Sequence, residues 1–136
     1  MPLSGSEFTI QLKATHLNWG TYRYSDTRRI IYDEMYLPIP SNCARAFSIY
    51  NSNYTNRRDV LGINIFNCIS SDGFLNCSVK AAGSSTAGDI YAKNLQGNGD
   101  LKLLAPWATS CQMRVGDSIH LLWIDEETIR LTHIPQ

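Results

Sequence analysis

The sequence lacks what marks most membrane proteins and many enzymes. No stretch approaches the roughly 18 consecutive apolar residues that a membrane helix needs. The segment Met1 to Glu7 has neither a basic start nor an apolar run. A secretory signal is therefore not expected, and the chain reads as an intracellular, cytoplasmic protein with no membrane partner. Histidine is scarce: His16, His120 and His133 stand far apart, whereas a His-Asn nuclease site needs several. A Gly-x-Ser-x-Gly elbow and a P-loop are both missing. Ser78-Val79-Lys80 and Tyr91-Ala92-Lys93 have the lysine of a metal-dependent nuclease strand but not the acid two positions before it. Cys43, Cys68, Cys77 and Cys111 form no C-x-x-C pair and match no zinc framework. They read as buried free thiols, which pack as small hydrophobes. The expectation is a chain that is not itself an enzyme, with no catalytic residue, no metal and no cofactor.

Net charge is missing as well, with 12 basic side chains against 12 acidic ones, so bulk charge steers toward no partner. The distribution is less even. Residues 1–68 hold seven basic and five acidic side chains, and residues 69–136 hold five and seven. Arg28-Arg29 and Arg57-Arg58 fall in the first half, and Asp125-Glu126-Glu127 in the second.

What is present is a strand-and-turn pattern. The 136 residues, 43% hydrophobic, suffice for one domain with a core and not for two. Phe8, Ile10 and Leu12 alternate with polar residues, as in a half-buried strand. His16 to Gly20 breaks that strand, and Thr21 to Arg29 reads as a long loop or hairpin arm. Ile30 to Tyr32 and Met35 to Leu37 are strand-like, and Pro38 and Pro40 end the pairing. Ser41 is the expected N-cap of a short helix through Phe47. Val60 to Ile69 reads as the next strand, with Leu61, Ile63 and Ile65 alternating with Gly62, Asn64 and Phe66. Asp72-Gly73 signals a hairpin, Ala81 to Gly88 a small polar tip, and Ile90-Tyr91-Ala92 a renewed strand. Leu101 to Leu104 starts a short element that Pro106 cuts. Val115-Gly116-Asp117 turns into the most apolar strand, Ile119 to Ile124, and a last strand runs through Ile129, Leu131 and Ile134. The sum is a mostly β fold: one domain over residues 1–136, seven strands in a partly open barrel, and one or two short helices.

Two polar sets stand out. Arg23, Arg28 and Arg29 share one stretch with Tyr22 and Tyr24, and Asn18, Ser25 and Thr27 add hydrogen-bonding groups. Arginine forks can bridge phosphate oxygens or pair with the O6 and N7 edge of guanine. Lys80, Ser84, Ser85, Thr86 and Lys93 form the second set. A rival reading makes the protein a small barrel that binds a carbohydrate or protein through an aromatic groove at Trp19, Tyr22 and Tyr24. A third, a hydrolase, would need Asp89, Asp100 and His133 to cluster in a cleft.

The order of features resembles the B3-type DNA-binding pseudobarrel of plant transcription factors and of restriction endonuclease recognition domains. The resemblance runs along nearly the whole chain. It starts with Ser25-Asp26 in an arm, then Leu37-Pro38-Ile39-Pro40 before a short helix with Ala44 and Phe47. It continues with Asp72-Gly73, a second arm, a Gly-Trp-like position whose glycine is absent (Ala105-Pro106-Trp107), and Val115-Gly116-Asp117 entering an apolar strand. The resemblance implies a seven-stranded open pseudobarrel that binds double-stranded DNA sequence-specifically. Two arms, near Asn18 to Arg29 and near Lys80 to Lys93, would grip the major groove. It also implies the target-recognition module of a restriction-type system, with a nuclease domain or subunit as companion.

Overall fold

In the computed structural model, residues 2–22, 30–52, 64–83 and 90–136 are described. The longest ladder forms where apolar alternation is cleanest. β6 (Ser118–Asp125) and β7 (Thr128–Ile134) pair antiparallel from Ser118↔Ile134 to Asp125↔Thr128, with one irregularity after Trp123. Ile119, Leu121, Trp123, Ile129 and Leu131 point inward and are fully buried. β1 (Glu7–Gln11) lines the far side of β6, with Phe8 opposite Leu121 and Ile10 opposite Ile119. β7 then pairs parallel with β3 (Ile65–Ser70), the one parallel step in the sheet. β3 folds back on β4 (Asn76–Ala82) through Asp72-Gly73, where Gly73 takes a φ of 78° that a side chain would resist. β5 (Asn94–Gly97) and β2 (Tyr36–Pro38) complete the order β1-β6-β7-β3-β4-β5-β2. Pro38 ends β2, an edge strand, where its missing N–H breaks no ladder.

The result is a nearly closed, mixed seven-stranded barrel with one unsealed seam between β1 and β2. At its centre Trp123 meets Phe66 edge to face at 5.5 Å and Phe8 at 6.0 Å. The chain goes from β1 to β2 by two single-turn helices, α1 (Ala14–Leu17) and α2 (Trp19–Tyr22). Trp19 N donates to Glu34 O at 3.0 Å, which ties this pair to the approach of β2. With α3 (Ser41–Ala46) and α4 (Ala105–Ser110), the described residues hold four short helices.

Several local expectations change. His16 to Gly20 is not a mere break, and Thr21 and Tyr22 are helical. Ile30 to Tyr32 is not a strand: Tyr32 and Asp33 turn, and Asp33 takes a φ of 66°. Pro40, not Ser41, occupies the N-cap of α3. The strand expected over Val60 to Ile69 is described from Ile65, and its even-numbered residues face inward. Phe66, Cys68 and Ser70 are buried, while Ile65 and Ile69 are half-exposed. Apolar residues occupy both phases here, and the ladder decides: Phe66 opposes buried Val79. Leu61 and Ile63 lie outside the described residues. Ala81 and Ala82 are buried strand residues of β4, not part of a tip. Tyr91 makes only an isolated bridge to Tyr50, and the next true strand begins at Asn94. Pro106 opens α4 instead of cutting a helix, because the first turn has no use for its N–H.

Candidate nucleic-acid interface

β4, β5 and β2 alternate so that Val79, Ala81, Leu95 and Leu37 enter the core. Ser78, Lys80, Asn94, Gln96 and Tyr36 are left on the outer face, half-buried. The ladders set Lys80, Gln96 and Tyr36 in one cross-strand row, with Ala82, Asn94 and Pro38 in another. Asn98 Nδ2 donates to Ser78 Oγ at 3.3 Å, and Asn94 Nδ2 to Gln96 Oε1 at 3.3 Å. No carboxylate occurs in any of these three strands. The face is therefore polar, rich in amides, and positive at Lys80.

An aromatic cluster borders it. The Tyr36 ring meets Trp19 at 4.8 Å and His16 at 5.2 Å, both edge-on. His16 is buried, and its Nδ1 accepts the Lys13 N–H at 2.9 Å. Burial, and then the neighbouring Lys13 charge, hold the imidazole below its usual pKa, so the ring stays neutral.

Of the residues singled out in the sequence, Arg23, Tyr24, Ser25, Thr27, Arg28, Arg29, Ser84, Ser85 and Thr86 lie outside the described residues. Asn18 is exposed at the junction of the two first helices, where its carbonyl accepts the Thr21 hydroxyl at 2.7 Å. Lys80 sits on the outer face just described. Lys93 is exposed one residue ahead of β5 and borders a concavity with Arg45.

The described residues also show where two of the undescribed stretches, 23–29 and 84–89, are rooted. Ile31 N donates to Gly20 O at 3.1 Å and closes a neck across residues 21–30. A Cβ on Gly20 would stand 1.9 Å from Ile31 O, so this neck requires glycine. The chain then enters β2 at Tyr36, opposite Gln96. Residues 84–89 connect the Ala82 end of β4 to Ile90, ahead of Asn94, and Asn94 faces Pro38. The two roots thus lie at opposite ends of a ladder only three residues long, or roughly 7 Å of strand. The outer face, whose three strands hold no acid, lies between them.

The acids are used elsewhere. Asp72 accepts from Ser70 Oγ, from Phe74 N at 3.0 Å, from Trp107 Nε1 at 3.1 Å and from Cys111 Sγ at 3.3 Å. These bonds, the Ser70 hydroxyl first, hold its carboxyl well below the usual range and tie the β3–β4 turn to α4. Asp117 accepts from Gln136 N at 3.0 Å and Arg114 N at 3.0 Å, and pairs with His133 Nε2 at 2.8 Å. Its pKa falls to about 2, through the Gln136 amide, then His133, then the Arg114 amide. His133 is therefore spoken for by Asp117. Asp100 caps its own turn by accepting Lys102 N at 2.9 Å, and Asp89 lies outside the described residues. Sequence reading identified Asp72 and Asp117 only as turn residues. Nothing in their spacing told which distant groups their carboxylates would collect.

Among the described residues no three His, Cys, Asp or Glu side chains are placed to hold a metal ion. Of the cysteines only Cys68 is fully buried, and the other three are half-buried. Cys68 and Cys77 face each other in the β3–β4 ladder, and their hydrogen bond raises the pKa of Cys68 and lowers that of Cys77. No known protein family, curated protein or solved structure matches the chain.

Proposed function

We propose that the protein binds double-stranded DNA sequence-specifically, through the outer face of β4, β5 and β2 and the two stretches rooted at its ends. One observation carries this reading: the face between the two roots is polar and holds Lys80, and its three strands contain no carboxylate. A polyanion is repelled by surface acids and recruited by lysine and arginine. Asn94, Gln96 and Asn98 bring side-chain amides, which pair with the N6 and N7 edge of adenine. Arg23, Arg28 and Arg29 take phosphates and guanine edges from one end, and Ser84 and Ser85 take bases or phosphates from the other. Each good bidentate base contact contributes about 1–3 kcal/mol of discrimination. With a net charge of zero, affinity comes from these local cations and not from a global field. The role that fits is target recognition in a restriction-type system, as the B3-type resemblance implies, with cleavage performed by a nuclease domain or subunit and not by this chain.

The test is selection of bound duplexes from a random pool, followed by a salt titration of the winner. Enrichment of one motif and steep weakening with salt are expected. A pool that stays random after repeated rounds refutes the reading.

One observation favours a second reading. Trp19 and Tyr36 present a paired aromatic edge beside the same face, a platform suited to a sugar ring. Binding of that kind would hardly change with salt.

A further inference from the structure

A concavity of about 310 Å³ opens between α3 and residues 90–93. Arg45, Lys93, Ser41 and Tyr91 line it, over apolar Ile39 and Ile90. The charged residues that line it are Arg45 and Lys93. The walls are fixed by backbone bonds. Ile39 N donates to Lys93 O at 2.8 Å, Asn51 N to Ile90 O at 2.9 Å, and Ala92 N to Ile49 O at 2.9 Å. Tyr91 stacks on Tyr50 at 5.5 Å and 24°. The Arg45 guanidinium carbon in turn lies over the Tyr91 ring, 5.2 Å from its centre. Stacking occupies the flat face of a guanidinium and leaves its N–H donors in plane for an oxygen acceptor.

The chemistry is two-sided. A fork of donors and a hydroxyl suit a phosphate, which has several acceptor oxygens. An apolar floor suits a sugar or base. The volume is at the small end of ligand sites, on the order of 300 Å³, enough for one nucleotide-sized group. The concavity also adjoins the root of residues 84–89, at the end of the ladder where Asn94 faces Pro38.

We infer that this concavity is a phosphate-ester site, with Arg45 and Ser41 holding the phosphate and Ile39 and Ile90 packing against the attached nucleoside. The phosphate belongs either to a DNA backbone or to a free nucleotide, and the first source rests on the DNA-binding reading. Under that reading Arg45 is a grip on the duplex that belongs to neither sequence-predicted arm.

The experiment uses the full chain. Wild type, Arg45→Ala and Arg45→Lys are titrated with a selected duplex at several salt concentrations. Separately, amide NMR shifts are followed on adding deoxyadenosine monophosphate or inorganic phosphate. Arg45 is exposed, so matched melting curves are expected for all three proteins. Arg45→Ala should weaken duplex binding about evenly across sequences, by about fivefold, and reduce the salt slope by about 0.9. Arg45→Lys should keep the slope and lose part of the affinity. The mononucleotide should shift amides of residues 41–45 and 90–93 in wild type and not in Arg45→Ala. Unchanged affinity and slope in Arg45→Ala, with no mononucleotide shifts, would overturn the inference and leave the DNA-binding reading standing. Mononucleotide shifts in a protein that binds no duplex would support the site and overturn the DNA-binding reading.

Discussion

β6 and β7 run for eight and seven residues and pair along almost their whole length, whereas β5 and β2 have four and three. The outer faces differ as much as the ladders. Beside the long strands, His120 Nε2 meets Glu7 at 2.9 Å, and the turn at Asp125 to Glu127 is wholly acidic. β5, β2 and their neighbour β4 carry amides, a hydroxyl, Tyr36 and Lys80, and no acid. The comparison separates two jobs. The long ladders close the core around Trp123, so they can tolerate charge of either sign outside. The ladders of β4, β5 and β2 leave an outer face whose three strands hold no carboxylate, a pattern that core packing does not require.

The largest effect should come from the long half. Trp123→Ala empties the barrel centre and is expected to lower stability by about 3–5 kcal/mol in urea titration. An equal loss from Lys80→Ala would erase the distinction between the halves. Next is the double change Arg28→Ala, Arg29→Ala. DNA affinity should fall at least tenfold, since one bidentate contact is worth about 1–3 kcal/mol, with melting unchanged. Lys102→Ala, at an exposed turn on the β5–α4 connection, should do little. Equal losses from both would sink the assignment of residues 23–29.

Gly20→Ala sharpens the comparison at the root of that stretch. The new Cβ collides with Ile31 O, and overpacking of this kind typically costs about 1–3 kcal/mol. Calorimetry should show the loss, and duplex affinity should fall with it. The smallest effect concerns pH. His16 is held neutral in the folded state, while the unfolded ring protonates near its usual 6.5. As pH falls below that value the unfolded chain binds the extra proton first, so stability drops toward the lowered folded pKa. His16→Asn, which keeps an acceptor for Lys13 N, should show a smaller fall in melting temperature between pH 7.5 and 5.5. Identical pH profiles for the two proteins would remove His16 as the cause. Asp117 acts in a lower window: its contribution is present above the usual carboxylate pKa and is lost as pH falls through about 2.

How far the sequence could be read depended on how local each determinant was. β1, β6 and β7 were legible because apolar residues alternate without competition, and the turns at Gly73 and Gly116 announce themselves by glycine at positive φ. β3 was not legible in phase, because Ile65 and Phe66 are both credible core residues and only pairing with Val79 chooses between them. β5 was missed because Asn94-Leu95-Gln96-Gly97 carries a single large apolar side chain. Of the candidate interface, Lys80 and Lys93 were named from composition. Gln96, Asn94, Tyr36 and Arg45 were not, since nothing nearby in sequence marks them as neighbours.

The sequence by itself determined the class of fold, through alternation of period two broken by turn residues. It also determined the absence of a membrane-length apolar run, a matter of counting. Tertiary structure alone decided that Lys80, Gln96 and Tyr36 share a row, that Asp72 and Asp117 gather donors from distant strands and helices, and that Arg45 lies over Tyr91. The physical reason is range. Backbone preference and amphipathic period act over a few residues, whereas a row of adjacent strands without carboxylates or a pair of cations in a concavity exists only once strand register has set which distant residues meet.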